Sequence, residues 1–191
     1  MYSPYQNSIG RRVFLNSVGR IGLVGAISAL VPNVFITRTL AAPPPTQNKW
    51  QVCVNCDSLF YDGYRNKGRC PINKATAHSP SGGNSNSYVL TYDSRGPGQP
   101  NWRFCNKCEA LFFDGYPQKG VCAAGGGHVA AGYNFTLRYD AKAEGTNGWR
   151  FCNKCQVLFM SAGSKVICAA GGRHVAAGYN FVLDTEVHDT M

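Results

Sequence analysis

The sequence predicts an all-β fold made of three copies of one small unit, each with its own metal site. Three observations predict this: an internal repeat, cysteines and histidines that recur with that repeat, and a strand-like alternation of apolar and polar residues. The composition agrees, because 22 glycines and 10 prolines in 191 residues favour short strands and turns over long helices. An aromatic content of 12% argues against a disordered chain.

The repeat is visible as three aligned segments that open at Trp50, Trp102 and Trp149. The second and third segments both begin with WRFCNKC, and the first is a looser copy, WQVCVNC. Their second halves also match, as CAAGGGHVAAGYNF from Cys122 and CAAGGRHVAAGYNF from Cys168. Two such blocks establish a tandem repeat. The chain is predicted to divide into a leader, a proline-rich linker, three repeat units and a tail, at residues 1–42, 43–49, 50–101, 102–148, 149–185 and 186–191.

Each unit is predicted to contain four short strands. In the second unit the last strand is the clearest, because apolar and polar residues alternate over 133–139. The other three strands are predicted at 102–104, 111–113 and 120–122. No segment after the leader shows the period of about 3.6 residues that an amphipathic helix needs. The prediction is therefore all-β.

All nine cysteines and three of the four histidines lie at equivalent positions, as three cysteines and one histidine per unit. Disulfides are the simple alternative in an exported protein, but three thiols per unit leave one unpaired and give the histidine no role. Tetrahedral zinc accounts for all four positions, because Zn²⁺ prefers thiolate and imidazole ligands. Iron or an iron–sulfur cluster stays open as an alternative. The predicted ligands of three zinc ions are Cys53, Cys56, Cys70 and His78; Cys105, Cys108, Cys122 and His128; and Cys152, Cys155, Cys168 and His174.

Each zinc ion is predicted to be structural. Four protein ligands leave no open coordination position for water or substrate. A unit of roughly 45 residues also buries too little apolar surface to be stable by itself, and domains of that size usually recruit a metal ion or disulfides.

The first 42 residues have the pattern of an export signal. Arg11 and Arg12 precede an uncharged apolar stretch at 21–31, and two alanines and three prolines follow at 41–45. The pattern R-R-x-F-L resembles the twin-arginine signal of bacteria, which implies export of a folded protein to the periplasm or the medium. A retained membrane anchor is the alternative, but Pro32 interrupts the apolar stretch before the roughly 20 residues that a spanning helix needs. No membrane span is expected after cleavage.

The two-cysteine turn with a second pair of ligands resembles a zinc ribbon. The whole unit, W-x-x-C-x-K-C-x-x-L-F-F-x-G followed by G-x-C-x-A-G-G-x-H and G-Y-N-F, is similar to a repeat of poorly characterised secreted bacterial proteins. This resemblance covers residues 50–185 and implies no settled activity. Unit 1 departs from the pattern at 71–77, where the AAGG run is missing, and this departure puts its metal geometry in question.

Two architectures fit three such units. Tandem zinc-ribbon beads would bury their apolar faces separately, whereas a β-trefoil-like arrangement would close the units around a pseudo-threefold axis. We favour the trefoil-like arrangement, because closure removes exposed sheet edges. In that arrangement the first and fourth strands of each unit pair in a barrel, and the second and third form a cap hairpin.

The predicted function is that of a non-catalytic binding module outside the cytoplasm, with a glycan or another envelope component as its partner. This expectation rests on analogy with exported trefoil proteins that bind sugars. The candidate ligand-binding residues belong to a motif shared by two units, and they are Asp62, Tyr64, Asp114 and Tyr116. The competing interpretation is an Asp-Gly hairpin turn with packed aromatic residues.

Two other classes of function are less favoured. A thiol–disulfide oxidoreductase would need a βαβ pattern and a metal-dependent hydrolase an open coordination position, and no set of catalytic residues stands out. A zinc finger that binds single-stranded nucleic acid would use the tryptophan before each Cys-x2-Cys together with basic residues at Arg103, Lys107, Arg150 and Lys154. The net charge of +9 overstates that possibility, because the leader contains several of the basic residues and no acidic one.

Overall fold

The computed structural model describes residues 45–81, 87–93, 96–139, 145–164 and 166–186. These residues form strands and turns without a helix, so the all-β prediction is confirmed for the described part of the chain. Within those ranges no helix has the length and apolarity needed to cross a bilayer. The predicted export signal at 1–42 lies outside the described residues, and its cleavage and role stay predictions.

Among the described residues each unit contributes three strands, and the first strand of each unit begins three or four residues before its tryptophan. Part of the predicted linker at 43–49 therefore lies in the first strand. The strands are β1 (Thr46–Val52), β2 (Leu59–Tyr61) and β3 (Tyr88–Thr91) in unit 1, β4 (Gln99–Cys105), β5 (Leu111–Phe113) and β6 (Ala130–Leu137) in unit 2, and β7 (Thr146–Cys152), β8 (Leu158–Met160) and β9 (Ala176–Thr185) in unit 3.

The first strand of each unit lies in the middle of a small antiparallel sheet. It pairs with the second strand on one side and with the last strand on the other, as in β5-β4-β6. The predicted pairing of first and last strands is therefore present in all three units. β3 also pairs with β9, which joins units 1 and 3 into a six-stranded sheet of order β2-β1-β3-β9-β7-β8.

The three units close into a ring around one core. Each tryptophan packs edge-on against an aromatic residue of the last strand of another unit, so the contacts run from unit 1 to 2, from 2 to 3 and from 3 back to 1. The ring centroids lie 5.3 Å apart for Trp50 and Phe135, 5.1 Å for Trp102 and Phe181, and 4.9 Å for Trp149 and Tyr88. All three tryptophans are fully buried in a single apolar cluster. A row of independent beads would not share a core in this way.

The predicted strand at 120–122 is not a strand. The Cys122 amide donates to the carbonyl of Gly126 at 2.8 Å, and the Gly125 amide donates to the carbonyl of Cys122 at 2.9 Å. The backbone curls around the third cysteine because that residue must point at a ligand cluster, so these groups bond within a turn instead of along a ladder. Among the described residues the first and last strands of each unit pair as predicted, but the second strand pairs with the first instead of forming the predicted cap hairpin. The trefoil-like arrangement stays a prediction.

Candidate metal centres

Three clusters of side chains have the composition that the sequence predicts. Each cluster brings three cysteine sulfurs and one histidine nitrogen within 4.8 Å of one another. All twelve residues are buried, with exposed fractions between 0 and 9%. They are the twelve residues named from their spacing: Cys53, Cys56, Cys70 and His78; Cys105, Cys108, Cys122 and His128; and Cys152, Cys155, Cys168 and His174.

The distances within each cluster fit a tetrahedral metal ion. A Zn–S distance of about 2.3 Å and a Zn–N distance of about 2.0 Å place tetrahedral ligands roughly 3.8 Å apart for two sulfurs and 3.5 Å for sulfur and nitrogen. The first and third sulfurs lie 3.8, 3.9 and 3.9 Å apart in units 1, 2 and 3. The second sulfur lies 3.7, 3.5 and 3.4 Å from histidine Nδ1 in the same order. A disulfide would instead hold two sulfurs about 2.05 Å apart, and all nine cysteines are free thiols.

The first two ligands lie on a tight turn between the first and second strands, which we call the first knuckle (Cys-x2-Cys). In unit 2 the Glu109 amide donates to the carbonyl of Cys105 at 2.8 Å, and the Cys105 amide donates to the carbonyl of Ala110 at 3.0 Å. Glu109 takes a left-handed φ of 63°, which reverses the chain immediately after Cys108. The equivalent bonds recur in units 1 and 3. Two cysteines with two residues between them can thus point at one ion.

The last two ligands enclose a second turn, which we call the second knuckle (third cysteine to histidine). In unit 2 the Lys107 ammonium donates to the carbonyls of Gly125 and Gly127, and this ties the first knuckle to the second. Lys154 makes the equivalent bonds in unit 3. Sequence reasoning treated these lysines as possible nucleic-acid contacts and missed their part in the metal centre. Their recurrence inside the C-x-K-C motif was the available signal.

Each metal-facing histidine is held by stacking. The second strand of each unit begins with a Leu-Phe pair, and the histidine ring lies nearly parallel to the ring of that phenylalanine. The ring centroids of Phe112 and His128 lie 4.6 Å apart. The same pair is 4.9 Å apart in unit 1 and 4.6 Å apart in unit 3. The conspicuous Leu-Phe repeat therefore has a role in the site, because its phenylalanine fixes the plane of a ligand.

The electrostatics of an ion-free cluster are in conflict. Hydrogen bonds with the thiols of Cys108 and Cys122 lower the pKa of Cys105 far below its usual range, whereas hydrogen bonds with Cys105 and Cys122 raise the pKa of Cys108. Burial alone would lower the pKa of His128, but Cys105 and Cys122 outweigh burial and raise it to about 9. The cluster therefore stabilises the thiolate of Cys105 and disfavours ionisation of Cys108. A divalent cation resolves this conflict, because it stabilises every coordinating thiolate.

Of the four candidate ligand-binding residues, the two tyrosines are exposed at the borders between units, whereas the two aspartates are only partly exposed. The carboxylates of Asp62 and Asp114 form ion pairs with Lys67 and Lys119 at 2.6 and 2.8 Å. Tyr64 is 54% exposed, and its ring packs edge-on against Phe104 of unit 2.

The corresponding tyrosine of unit 2 has the same environment. Tyr116 is 49% exposed and packs against Phe151 of unit 3. The structure thus pairs each tyrosine with an aromatic residue of the next unit, whereas each carboxylate is engaged by a lysine.

Comparison with protein-family models, with curated proteins and with solved structures finds no match for this chain. The resemblance to repeats of secreted bacterial proteins therefore stays a prediction. The function has to be argued from the three metal centres and from the surface around them.

Proposed function

We propose that this chain is an exported, non-catalytic protein in which three structural zinc ions stabilise a module that binds a glycan or another envelope component. One observation supports the metal part above all others. In each unit four buried ligand atoms converge within 4.8 Å, and the sulfur–sulfur and sulfur–nitrogen distances given above are those of a tetrahedral ion. The export and the envelope ligand rest on the sequence pattern and on the surface chemistry.

Zinc suits these centres better than other ions. Three thiolates and one imidazole match its ligand preference, and its closed tetrahedral sites need no open position. Iron accepts the same thiolate and imidazole ligands, so elemental analysis has to distinguish it from zinc. Zinc binding would also supply stability that a small all-β ring lacks without it.

A structural role for the metal also explains why no enzyme is proposed. A hydrolytic zinc ion needs an open position for water, and these four protein ligands fill the coordination sphere. A redox thiol pair needs an accessible thiolate, whereas every cysteine here is buried. Nucleic-acid binding is less favoured as well, because Lys107 and Lys154 are engaged with backbone carbonyls of their own units.

The surface offers two equivalent places for a ligand. Tyr64 and Tyr116 expose about half of their side-chain surface beside an aromatic residue of the next unit. An aromatic face with a hydroxyl at its edge suits a ligand that is partly apolar and partly polar, as a sugar ring is. Unit 3 has Gly163 at the aligned position, so at most two such places are expected.

The metal assignment is tested by elemental analysis and native mass spectrometry of the mature protein. We expect three zinc ions per chain and nine thiols that react only after chelation. Three iron ions per chain would change the identity of the proposed metal but not the three Cys3His centres. A metal-free protein with cysteines paired in disulfides would overturn the proposal.

The ligand assignment is tested by sedimentation of the protein with purified peptidoglycan. We expect the Tyr64→Ala, Tyr116→Ala double variant to bind at least about 10-fold more weakly, as loss of aromatic anchors usually does. Tyr139→Ala is the matched control, because Tyr139 is also exposed but lies outside the motif. Equal binding by all three proteins, or none, would argue against this ligand.

Replacement of both Arg11 and Arg12 by lysine is expected to block export, which cell fractionation measures.

A further inference from the structure

Each metal-facing histidine of units 2 and 3 contacts another unit through its second nitrogen. His128 Nε2 lies 3.0 Å from the carbonyl oxygen of Cys155, and His174 Nε2 lies 3.3 Å from the hydroxyl oxygen of Ser58. Because Nδ1 of each ring faces the thiols, a metal-bound ring carries its proton on Nε2 and can donate it to these oxygens. An atom of one unit therefore orients the ligand of another.

Ser58 occupies a position that recurs in every unit, two residues after the second cysteine. Its counterparts are Ala110 and Val157. In each unit this residue pairs through its backbone with a phenylalanine of a neighbouring unit. That phenylalanine stacks on the histidine of its own unit. The backbone bridges are Ser58↔Phe159, Ala110↔Phe60 and Val157↔Phe112. The residue at this position thus lies beside a neighbouring unit's metal-binding histidine.

Neither His78 nor His128 meets a hydroxyl at this contact, because the counterparts of Ser58 are Ala110 and Val157, but His128 has the Cys155 carbonyl instead. The residue beside His78 is Ala110, and among the described residues His78 Nε2 has no hydrogen-bond partner although the side chain is only 4% exposed. His78 and Ala110 both line one small cavity. The distance from Cys56 Sγ to His78 Nδ1, 3.7 Å, is also the longest of the three sulfur–nitrogen pairs.

We propose that Ser58 is a positioning residue for the metal site of unit 3, and that Ala110 at the equivalent place makes unit 1 the site that releases its metal first. This inference rests on the proposed metal binding. It follows because a partner for the second histidine nitrogen fixes the ring in its ligating orientation. Loss of such a partner typically weakens metal binding by roughly 10- to 100-fold. The hydroxyl at position 58 therefore acts on a site whose ligands begin 94 residues later, at Cys152.

The test uses the zinc-loaded mature protein challenged with a chelator, while an alkylating reagent labels each thiol that is released. Mass spectrometry of peptides then reports the rate for each site separately. In the wild type we expect Cys53, Cys56 and Cys70 to be labelled first. Ser58→Ala should speed labelling of the unit 3 cysteines by roughly 10-fold or more and leave unit 2 unchanged.

The reciprocal variant Ala110→Ser adds a hydroxyl beside His78. We expect it to slow labelling of the unit 1 cysteines and to leave unit 3 unchanged, a gain that general damage to the fold cannot produce. The variant also keeps the test decisive if Ser58→Ala does not fold. The Nε2 proton of His174 should exchange with solvent faster in Ser58→Ala, as NMR can measure.

The outcomes separate this inference from the metal assignment. A wild-type protein without bound metal would remove the proposed function itself. Three bound zinc ions, with Ser58→Ala affecting all sites equally or none, would overturn only the positioning role. Unit 1 labelled last in the wild type, or unchanged by Ala110→Ser, would overturn the order of release.

Discussion

The metal sites of units 1 and 2 reach the same ligand geometry through different loops. Seven residues separate Cys70 from His78 in unit 1, whereas five separate Cys122 from His128 in unit 2. The first and third sulfurs nevertheless lie 3.8 and 3.9 Å apart. The loop between the ligands can therefore vary, provided that its ends return to the same positions. The ligand atoms, and not the loop, carry the constraint.

The two loops satisfy their backbone groups in different ways. In unit 2 the turn uses Gly125 and Gly126, whose φ angles of 93° and 63° favour glycine. In unit 1 the side-chain oxygen of Asn73 accepts hydrogen bonds from the amides of Ala75 and Thr76 at 3.1 and 2.8 Å. In unit 1 Lys74 takes the left-handed φ of 59°, and the Asn73 side chain caps the turn around it. This answers the doubt that the missing AAGG run raised about unit 1.

The support around the two sites differs more than the sites themselves. The cysteines of units 2 and 3 belong to one buried cluster that includes Phe112, Val157 and Val166. The cysteines of unit 1 form a separate, smaller cluster with Phe60, against which Ile167 packs. A metal ion in unit 1 would therefore stabilise less of its surroundings. The first of three predictions tests this comparison, and the other two test the core and the border that the units share.

The largest effect is expected when one ligand is removed. Cys105→Ser and Cys53→Ser should each abolish the binding of one zinc ion per chain. Zinc binding contributes about 10–16 kcal/mol in small zinc domains, so either loss should lower the free energy of unfolding by several kcal/mol. We expect Cys105→Ser to cost more, because its site shares a buried cluster with unit 3. Native mass spectrometry and thermal unfolding measure both quantities. A larger cost for Cys53→Ser would show that the cluster does not couple the sites.

The second prediction concerns the core that all units share. Trp102→Ala should lower the free energy of unfolding by about 3–5 kcal/mol, the usual cost of deleting a buried tryptophan. Because Trp102 contacts Phe181 of unit 3, unfolding should remain one transition for the whole ring. Circular dichroism and zinc release should report the same midpoint. Two separate transitions, or a native-like spectrum from residues 102–148 alone, would favour independent units.

The smallest effect is expected at two glycines of unit 2. Gly120 and Gly132 have φ angles of 59° and 64°, so alanine at either position should cost about 1–2 kcal/mol through the backbone. A Cβ on Gly120 would also lie 2.3 Å from the carbonyl oxygen of Cys155, whereas a Cβ on Gly132 would meet no atom within 4 Å. Chemical denaturation should therefore show a larger loss for Gly120→Ala. Equal losses would mean that the border between units 2 and 3 yields easily.

Part of this protein was predictable because the signals are local. Cysteine and histidine spacing identified the ligand clusters, since two cysteines two residues apart belong to one turn. Apolar alternation over 133–139 predicted the last strand of unit 2, which the structure places at 130–137. The tryptophan motif predicted its partner at 102–104, which extends over 99–105. The strand predicted at 120–122 was wrong, because its apolar pattern competed with the need to curl around Cys122.

The sequence by itself determined the all-β class, the tandem repeat and the composition of the three Cys3His clusters, because each depends on residue types at short separations. Only the tertiary structure decided that the units close into one ring and that His128 and His174 each contact another unit. The contact between Ser58 and His174 joins residues 116 positions apart, and it exists only because the last unit packs against the first. No local pattern encodes such a contact, since its geometry depends on how the described strands of all three units pack around the shared tryptophan core.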